Sequence, residues 1–219
     1  TISLPRDTLV GGTGDCDDLT VLYCSLLEAA GFETAFVTVP GHIFPAFNTK
    51  VPSRDYRKVH PDKAMTLNID GELWVPVEVT MVGSGDFLSA WRTGIEQFSA
   101  LDGSPEKRRI TFTRRAQSTY RPIPLSEKVW AEYVATKDRI ADDFRQSMDK
   151  LVDQIVDSYT RTAQEAGHKD AWNRLGIVCA QYKRYAQAQR AFNTALGLDR
   201  NFLSAKINLG NVFYLRQEY

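Results

Sequence analysis

The chain has 219 residues, 43% of them hydrophobic, which is enough for one sizeable core and a smaller second unit. Lysine plus arginine and aspartate plus glutamate each number 27, so no overall field attracts nucleic acid or an anionic membrane surface. Three cysteines are too few for a disulfide framework, and no apolar run approaches the roughly 20 residues of a membrane span. These properties argue against nucleic-acid-binding, disulfide-stapled and membrane-spanning classes.

The first predicted helix covers residues 15–31 and follows the glycine-rich segment Gly-Thr-Gly-Asp-Cys. Asp15 is the predicted N-cap, with Asp18 three positions later as in a capping box, and Gly31 is the predicted stop. Cys16 therefore lies at the helix N-terminus. The unpaired N–H groups and the positive dipole end of a helix stabilise a thiolate, which makes this cysteine a candidate nucleophile.

Strand patterns follow this helix, and a helix packed on a small antiparallel sheet is the predicted arrangement. The Asp70-Gly71 pair predicts a hairpin between the last two of these strands. The charged segment 49–64 is predicted to be a surface excursion. The other predicted elements are strands over 34–39, 42–48, 65–69 and 73–80, a helix over 86–100, and a basic strand or extended arm over 109–121.

The second half of the chain has a helical pattern. Residues 126–166 contain no glycine or proline, and their apolar residues recur at three- to four-residue steps, which predicts one very long helix or two abutting ones ending at Gly167. Beyond it the chain matches itself at an offset of 34 residues, which indicates a structural repeat. The offset aligns Ala171 with Ala205, Leu175 with Leu209, Gly176 with Gly210, Val178 with Val212, and Tyr185 with Tyr219.

This repeat resembles the tetratricopeptide repeat, a helix–turn–helix unit in which small residues let two helices approach closely. Cys179 stands where the family usually has tyrosine, and Arg200 where it usually has proline. The second copy reaches Tyr219 at roughly half its expected length, so we expect a piece of a longer repeat protein. The matching residues are Trp172, Leu175, Gly176, Tyr185, Ala188, Phe192, Ala195, Leu198 and Asp199.

A cysteine nucleophile needs a base and a third group that orients the base. Of the three histidines, His42 opens a strand soon after the cysteine helix, whereas His60 lies in the charged excursion and His168 borders the repeats. Glu78 lies in the apolar segment Leu-Trp-Val-Pro-Val-Glu-Val-Thr, where an unpaired carboxylate is costly. It is therefore a candidate partner for the histidine, although a lone strand glutamate is also compatible with a solvent-facing position.

Three motifs occur in an order that resembles the transglutaminase-like superfamily, and in particular its bacterial cysteine peptidases. They are Gly-Asp-Cys at 14–16, Gly-His at 41–42, and Trp-Val-Pro-Val-Glu-Val-Thr at 74–80. The resemblance covers roughly residues 9–82 and implies a papain-like α+β core.

By this resemblance, Cys16 would attack a carboxamide or peptide carbonyl to form a thioester, with His42 as base and later acid and Glu78 orienting the histidine. Glu78 stands where the superfamily usually has aspartate, and Ile43 where an aromatic neighbour is often found. Hydrolysis, as a peptidase or amidase, is predicted in preference to amine transfer. The alternative is a catalytically inactive transglutaminase-like module in a repeat-based interaction scaffold.

Asp17, Asp18 and Trp74 are candidate substrate-binding residues, although the two aspartates are equally compatible with a role as acids that complement the helix dipole. No metal site and no cofactor are predicted, because acids adjacent to a cysteine on a helix point away from one another. The predicted partners are a peptide or protein substrate and a protein bound by the repeats, without nucleic acid or a membrane span. The resemblance implies a bacterial origin, with the periplasm or cell envelope as the expected compartment.

The predicted fold class is therefore α+β, with a papain-like or transglutaminase-like core followed by all-α tetratricopeptide repeat helices. The predicted domains are a cysteine domain over 1–122, a long helical connector over 123–167, and repeats over 168–219 with the second repeat truncated.

Overall fold

The computed structural model describes residues 2–122 and 137–216. The chain divides into two compact units, Thr1–Ser147 and Met148–Tyr219. The described part of the first unit combines helices with a sheet, and the described part of the second is helical. The α+β class predicted from the sequence is confirmed.

The first unit is built on a five-stranded antiparallel sheet in the order β3-β4-β2-β1-β5. Helices surround the sheet, and short 3₁₀ turns connect several strands. The strands are β1 Thr34–Val39, β2 His42–Pro52, β3 Leu67–Ile69, β4 Glu72–Pro76 and β5 Arg109–Phe112, and the helices are α1 Pro5–Gly11, α2 Cys16–Ala29, α3 Phe87–Ser99 and α4 Thr113–Thr119.

Helix α2 begins where the sequence predicts. The Asp15 carboxylate accepts hydrogen bonds from the N–H groups of Asp17 and Asp18, both at 3.0 Å, and Gly31 leaves the helix with φ of 89°. The predicted capping box is wrong. The Asp18 carboxylate instead accepts from Ser3, through the backbone N–H at 2.6 Å and the hydroxyl at 3.2 Å. The acid that would close the box therefore anchors the N-terminal segment.

The core of this unit lies where α2 packs against β1 and β2. Ala35, Val37, Phe44 and Ala46 on these strands have no exposed surface. Burying a side chain as large as Val or Phe contributes about 1.5–3 kcal/mol, so these residues form a stable support for the helix. The two alanines keep the strand surface low, which is the packing that a closely approaching helix requires.

Two sequence-predicted strands have different limits in the structure. β4 ends at Pro76, which has no N–H to continue the ladder, and Glu78 then donates its backbone N–H to the carbonyl of Ala90 in α3 at 2.9 Å. The expected strand over 73–80 is therefore shorter, and Glu78 opens a 3₁₀ turn. β2 is longer than expected and reaches Pro52 through an irregularity after Asn48.

The segment 109–121 is only partly extended. Residues 109–112 form β5, and the chain then turns into helix α4, which the sequence analysis did not anticipate. Its Arg-Arg-Ala-Gln stretch has good helix propensity. Thr113 at its start is held by a hydrogen bond of 2.7 Å between its hydroxyl and that of Thr34.

The helical part of the chain comprises α5 Lys137–Ala166, α6 Lys169–Gln181, α7 Tyr185–Leu198 and α8 Leu203–Leu215. The predicted long helix is confirmed over 137–166, and its expected first residues, 126–136, lie outside the described residues. Helices α6 and α8 begin and end 34 residues apart, so the sequence offset is a repeat of structure.

The core of the second unit includes the later part of α5. Val152, Val156 and Ala163 are buried with Leu175 and Cys179 of α6. The division between the two units falls after Ser147, inside α5, whereas the connector expected from the sequence covers 123–167. Within 2–122 and 137–216, no helix is both long and apolar enough to cross a membrane.

Candidate active site

The structure pairs a histidine with a buried acid at one end of the sheet. His42 is the first residue of β2 and follows Gly41, whose φ of 73° makes the tight turn from β1. Its Nε2 lies 2.6 Å from Oε2 of Glu78, which follows β4 on the neighbouring strand path. Residues that are 36 positions apart in the chain thus form one hydrogen-bonded pair.

Every contact of the Glu78 carboxylate favours its charged form. Its side chain is only 3% exposed, and while Oε2 faces His42, Oε1 accepts from the backbone N–H of Thr80 at 3.0 Å and from its hydroxyl at 2.5 Å. Burial raises the pKa of Glu78, but the hydrogen bonds from Thr80 and His42 outweigh it and hold the pKa below its ordinary value. A carboxylate is therefore present beside the imidazole at neutral pH.

This pairing defines the role of the second ring nitrogen. Because an ionised carboxylate only accepts hydrogen bonds, Nε2 of His42 donates, and Nδ1 of the neutral ring carries the lone pair. The side chain is 24% exposed and its ring lies 5.9 Å from that of Phe44. The imidazole is thus held by a carboxylate on one side and presents a proton-accepting nitrogen on the other.

Cys16 is the first residue of α2 and is partly exposed. It lies on the same helix face as Thr20 and Cys24, because residues four apart stack along a helix. Thr20 has no exposed surface, and its hydroxyl donates to the carbonyl of Ile43 at 3.3 Å. The face that carries Cys16 is therefore the face that contacts β2.

The direction of this contact brings the cysteine toward the histidine. Along the helix, Thr20 meets Ile43, whereas Cys24 lies by Thr34, which pairs with Phe47 further along β2. One helical turn in the opposite direction, about 5–6 Å, leads to the N-terminus of α2 and to the start of β2. The same helix also contacts the 3₁₀ turn 79–81 that follows Glu78.

The N-terminus of α2 supplies backbone donors at this point. The Asp15 carboxylate accepts from the N–H groups of the second and third helical residues, and it leaves the Cys16 N–H outside the cap. An N–H at a helix start, together with the positive end of the dipole, is suited to stabilise negative charge that develops on a carbonyl oxygen.

The other two histidines have structural roles. The His60 ring is buried against Trp91, and its Nδ1 accepts from the Asp62 N–H at 3.1 Å. His168 is the N-cap of α6, where its Nδ1 accepts from the Ala171 N–H at 3.3 Å. Neither ring is paired with a carboxylate among the described residues.

The other two cysteines are buried in the two cores. Burial raises the pKa of Cys24 to about 11, against the smaller opposing effect of hydrogen bonds with Thr34 and Thr113. Burial likewise raises the pKa of Cys179 to about 11. Both thiols stay protonated at neutral pH, and their expected structural role agrees with this placement.

The candidate substrate-binding residues lie in three different surroundings. Asp17 is in the first turn of α2 beside Cys16, and Asp18 is engaged with Ser3. Trp74 is 4% exposed, and its ring contacts that of Phe112 with centroids 5.4 Å apart. It precedes Glu78 by four residues, about 13 Å of strand, so it lies toward the other end of β4.

Sequence reasoning missed Thr80, which holds the free oxygen of the Glu78 carboxylate. The signal was present, since an acid two residues before a threonine is a common side-chain cap of a turn. Glu78 is the N-cap of the 3₁₀ turn 79–81, and the same carboxylate that caps this turn binds the histidine. The local turn therefore orients the pair.

Among residues 2–122 and 137–216, no group of three or more His, Cys, Asp or Glu side chains is arranged to hold a metal ion. No protein family, curated protein or solved structure matches this chain. The argument for function accordingly rests on the sequence motifs and on the geometry of the site.

Proposed function

We propose that the first unit is a transglutaminase-like thiol hydrolase, a peptidase or amidase, in which Cys16 is the nucleophile, His42 the base and Glu78 the orienting acid. The observation that carries the proposal is the 2.6 Å contact between His42 Nε2 and Glu78 Oε2 beside the N-terminus of the cysteine helix. A buried carboxylate, an imidazole and a helix-terminal thiol are the groups that nucleophilic acyl transfer requires.

In the proposed reaction, Nδ1 of His42 takes the thiol proton and Cys16 Sγ forms a bond to the carbonyl carbon of a peptide or side-chain carboxamide. The backbone N–H of Cys16 stabilises the oxyanion. The C–N bond then breaks, the amine leaves with the proton from the imidazolium, and the acyl group stays as a thioester. Water, deprotonated by the same imidazole, attacks the thioester and releases the free acid and the thiol.

The glutamate has a defined part in this cycle. Its carboxylate stabilises the imidazolium that forms when the thiol is deprotonated, and it fixes the ring so that Nε2–H faces the acid. Glutamate is one methylene longer than the aspartate usual at this position. In this chain the extra length is accommodated by the turn 79–81, which carries the carboxylate back to the histidine.

We further propose that the helical unit is a tetratricopeptide-type repeat that recruits a protein partner. The support is the 34-residue spacing of α6 and α8 and the contact of α6 with α7 at Gly176. A Cβ at Gly176 would lie 2.4 Å from the Phe192 ring, so the two helices approach at the small residue that the repeat pattern demands.

Alkylation by iodoacetamide tests the proposed nucleophile. At pH about 6 we expect Cys16 to be labelled much faster than Cys24 and Cys179, whose burial and raised pKa values keep them unreactive. His42→Ala should slow the labelling of Cys16 at least about tenfold, because the thiolate loses its imidazolium partner. Mass spectrometry of digested protein measures each site.

His168→Ala is the matched control, since it makes the same substitution at a helix cap in the other unit and should leave the Cys16 rate unchanged. Equal Cys16 rates in wild type and His42→Ala would contradict the proposal and leave the inactive scaffold as the interpretation. Glutamine peptides incubated with a labelled amine distinguish the products, because a hydrolase releases free acid whereas a transferase incorporates the amine.

A further inference from the structure

A second concave site lies in the first unit, away from Cys16. It is a cavity of about 330 Å³ whose floor is formed by the rings of Trp74 in β4 and Phe112 in β5. These strands are separated by β2 and β1, so the ring contact shows that the sheet curls until its two sides approach. Thr34, which binds Glu28 near the end of α2, also lines the cavity and places it at the opposite end of that helix from Cys16.

One wall of the cavity carries carboxylates. Glu33, Asp70 and Glu72 line it, and the buried amide of Asn48 donates to Glu33 Oε2 at 3.1 Å and to Glu72 Oε2 at 2.6 Å. The Lys50 ammonium lies 2.6 Å and 3.7 Å from the same two oxygens. This amide and this ammonium hold two acids close together and in fixed positions.

Those two carboxylates are ionised at neutral pH. Hydrogen bonds from Lys50 and Asn48, which outweigh a smaller effect of burial, hold the pKa of Glu33 below its ordinary value. The Lys50 backbone has φ of 58°, which is unfavourable for a residue with a Cβ and persists only where the surroundings fix it. The acidic wall is therefore a preformed arrangement and not a set of mobile side chains.

The facing wall carries arginines from the other side of the sheet. Arg114 is 61% exposed and is held only at long range, with Nε 3.4 Å from Glu28 Oε2 and Nη1 3.7 Å from Glu33 Oε1. Arg115 is exposed, and neither its side chain nor that of Asp70 forms an ion pair with another described residue. The cavity thus has cations on one rim, anions on the other, and an aromatic floor.

We propose that this cavity binds an aromatic α-amino acid in its zwitterionic form. The ammonium group would lie toward Asp70 and Glu72, the carboxylate toward Arg114 and Arg115, and the ring over Trp74 and Phe112. An anion alone would face three carboxylates and a cation alone would face two arginines, whereas a zwitterion is complementary to both rims. The volume is at the small end of ligand sites, which suits a molecule of this size.

Calorimetric titration of the full chain with L-phenylalanine tests the proposal. We expect saturable binding, and about tenfold weaker binding of N-acetyl-L-phenylalaninamide, which keeps the ring but has neither charge. Asp70→Asn and Arg115→Ala should each weaken L-phenylalanine several-fold and reduce its advantage over the capped compound. Asp70 has φ of 51°, a conformation that asparagine also accepts, so the first variant keeps the turn.

Glu106→Gln and Arg109→Ala are matched controls, because both residues are exposed and do not line the cavity. They make the same changes of charge and should leave the affinity for L-phenylalanine unchanged. The proposal is overturned by the absence of saturable binding up to about 10 mM ligand, by equal affinity for the free and capped compounds, or by no effect of Asp70→Asn and Arg115→Ala. The measurement needs no thiol chemistry, so its result is independent of the proposed hydrolase activity.

Discussion

At the scale of single residues, the candidate site depends on how one carboxylate divides its bonds. Oε2 of Glu78 binds His42, and Oε1 binds both donors of Thr80, so the acid is held from two sides. A carboxylate that is 97% removed from solvent would be costly without these partners. Thr80 is thus a positioning residue, because it acts on the histidine through the acid.

Thr80→Val should raise the pKa of Glu78 toward its ordinary value of about 4.3, because it removes the hydroxyl donor while keeping the backbone N–H. Thr80→Ser keeps the hydroxyl and should restore the lowered pKa. NMR titration of the Glu78 side-chain carboxyl measures both. An unchanged pKa in Thr80→Val would show that the hydroxyl does not hold the acid.

The same shift fixes a dependence of stability on pH. Because the folded pKa of Glu78 is depressed, its contribution to stability is present above the unfolded value and is lost as pH falls through the folded value. Glu78→Gln should therefore cost about 1–3 kcal/mol in urea denaturation at pH 7, and the difference from wild type should shrink at acidic pH. A difference that is constant with pH would show that the loss is not one of charge.

At the scale of elements, helices approach each other where glycine replaces a side chain. Gly176 in α6 faces the Phe192 ring of α7, and Phe192 is only 1% exposed and cannot move aside. Gly210, its counterpart 34 residues later in α8, has no atom within 4 Å of an added Cβ among the described residues. Two glycines that are equivalent in the repeat thus have different surroundings.

This pair gives a matched test of helix packing. Gly176→Ala should destabilise the helical unit by about 1–3 kcal/mol, because overpacking against the ring exceeds the gain of about 1 kcal/mol in helix propensity. Gly210→Ala should be neutral or stabilising, since it has the propensity gain and no clash. Thermal denaturation followed by circular dichroism compares them. Equal effects of the two substitutions would contradict the close contact between α6 and α7.

At the scale of the whole molecule, each of the two units encloses one neutral thiol. Cys24 is 1% exposed and Cys179 has no exposed surface, and burial raises the pKa of each to about 11. A raised pKa contributes stability that is complete below the unfolded value of about 8.5 and is lost as pH rises through the folded value. Both units therefore share a weakness at alkaline pH.

We expect each cysteine to remove about 2 kcal/mol of the stability of its unit between pH 7 and pH 10. Cys24→Ala and Cys179→Ala should each reduce this alkaline loss in its own unit, whatever their cost at pH 7. Urea titrations at the two pH values, followed by hydrogen exchange of each unit, measure the effect. A loss of stability that is identical in wild type and both variants would assign it to other groups.

Most of the first helix, the hairpin at Asp70-Gly71 and the repeat could be predicted from the sequence, because each depends on neighbouring residues. The N-cap of Asp15 is a local contact, and the equal spacing of α6 and α8 repeats a local pattern. The conversion of residues 113–119 into a helix was not predicted, because its start is held by Thr34, a residue 79 positions away in the chain.

The sequence alone determined the candidates Cys16, His42 and Glu78, because a thiol at a helix start, a histidine at a strand start and an acid in an apolar segment are each recognisable locally. Only the tertiary structure decided that the imidazole and the carboxylate meet at 2.6 Å, and that Thr80 completes the pair. It also decided that Trp74 belongs to a cavity with Phe112. The physical reason is that strand pairing and sheet curvature bring together residues whose separation in the chain carries no information about their contact.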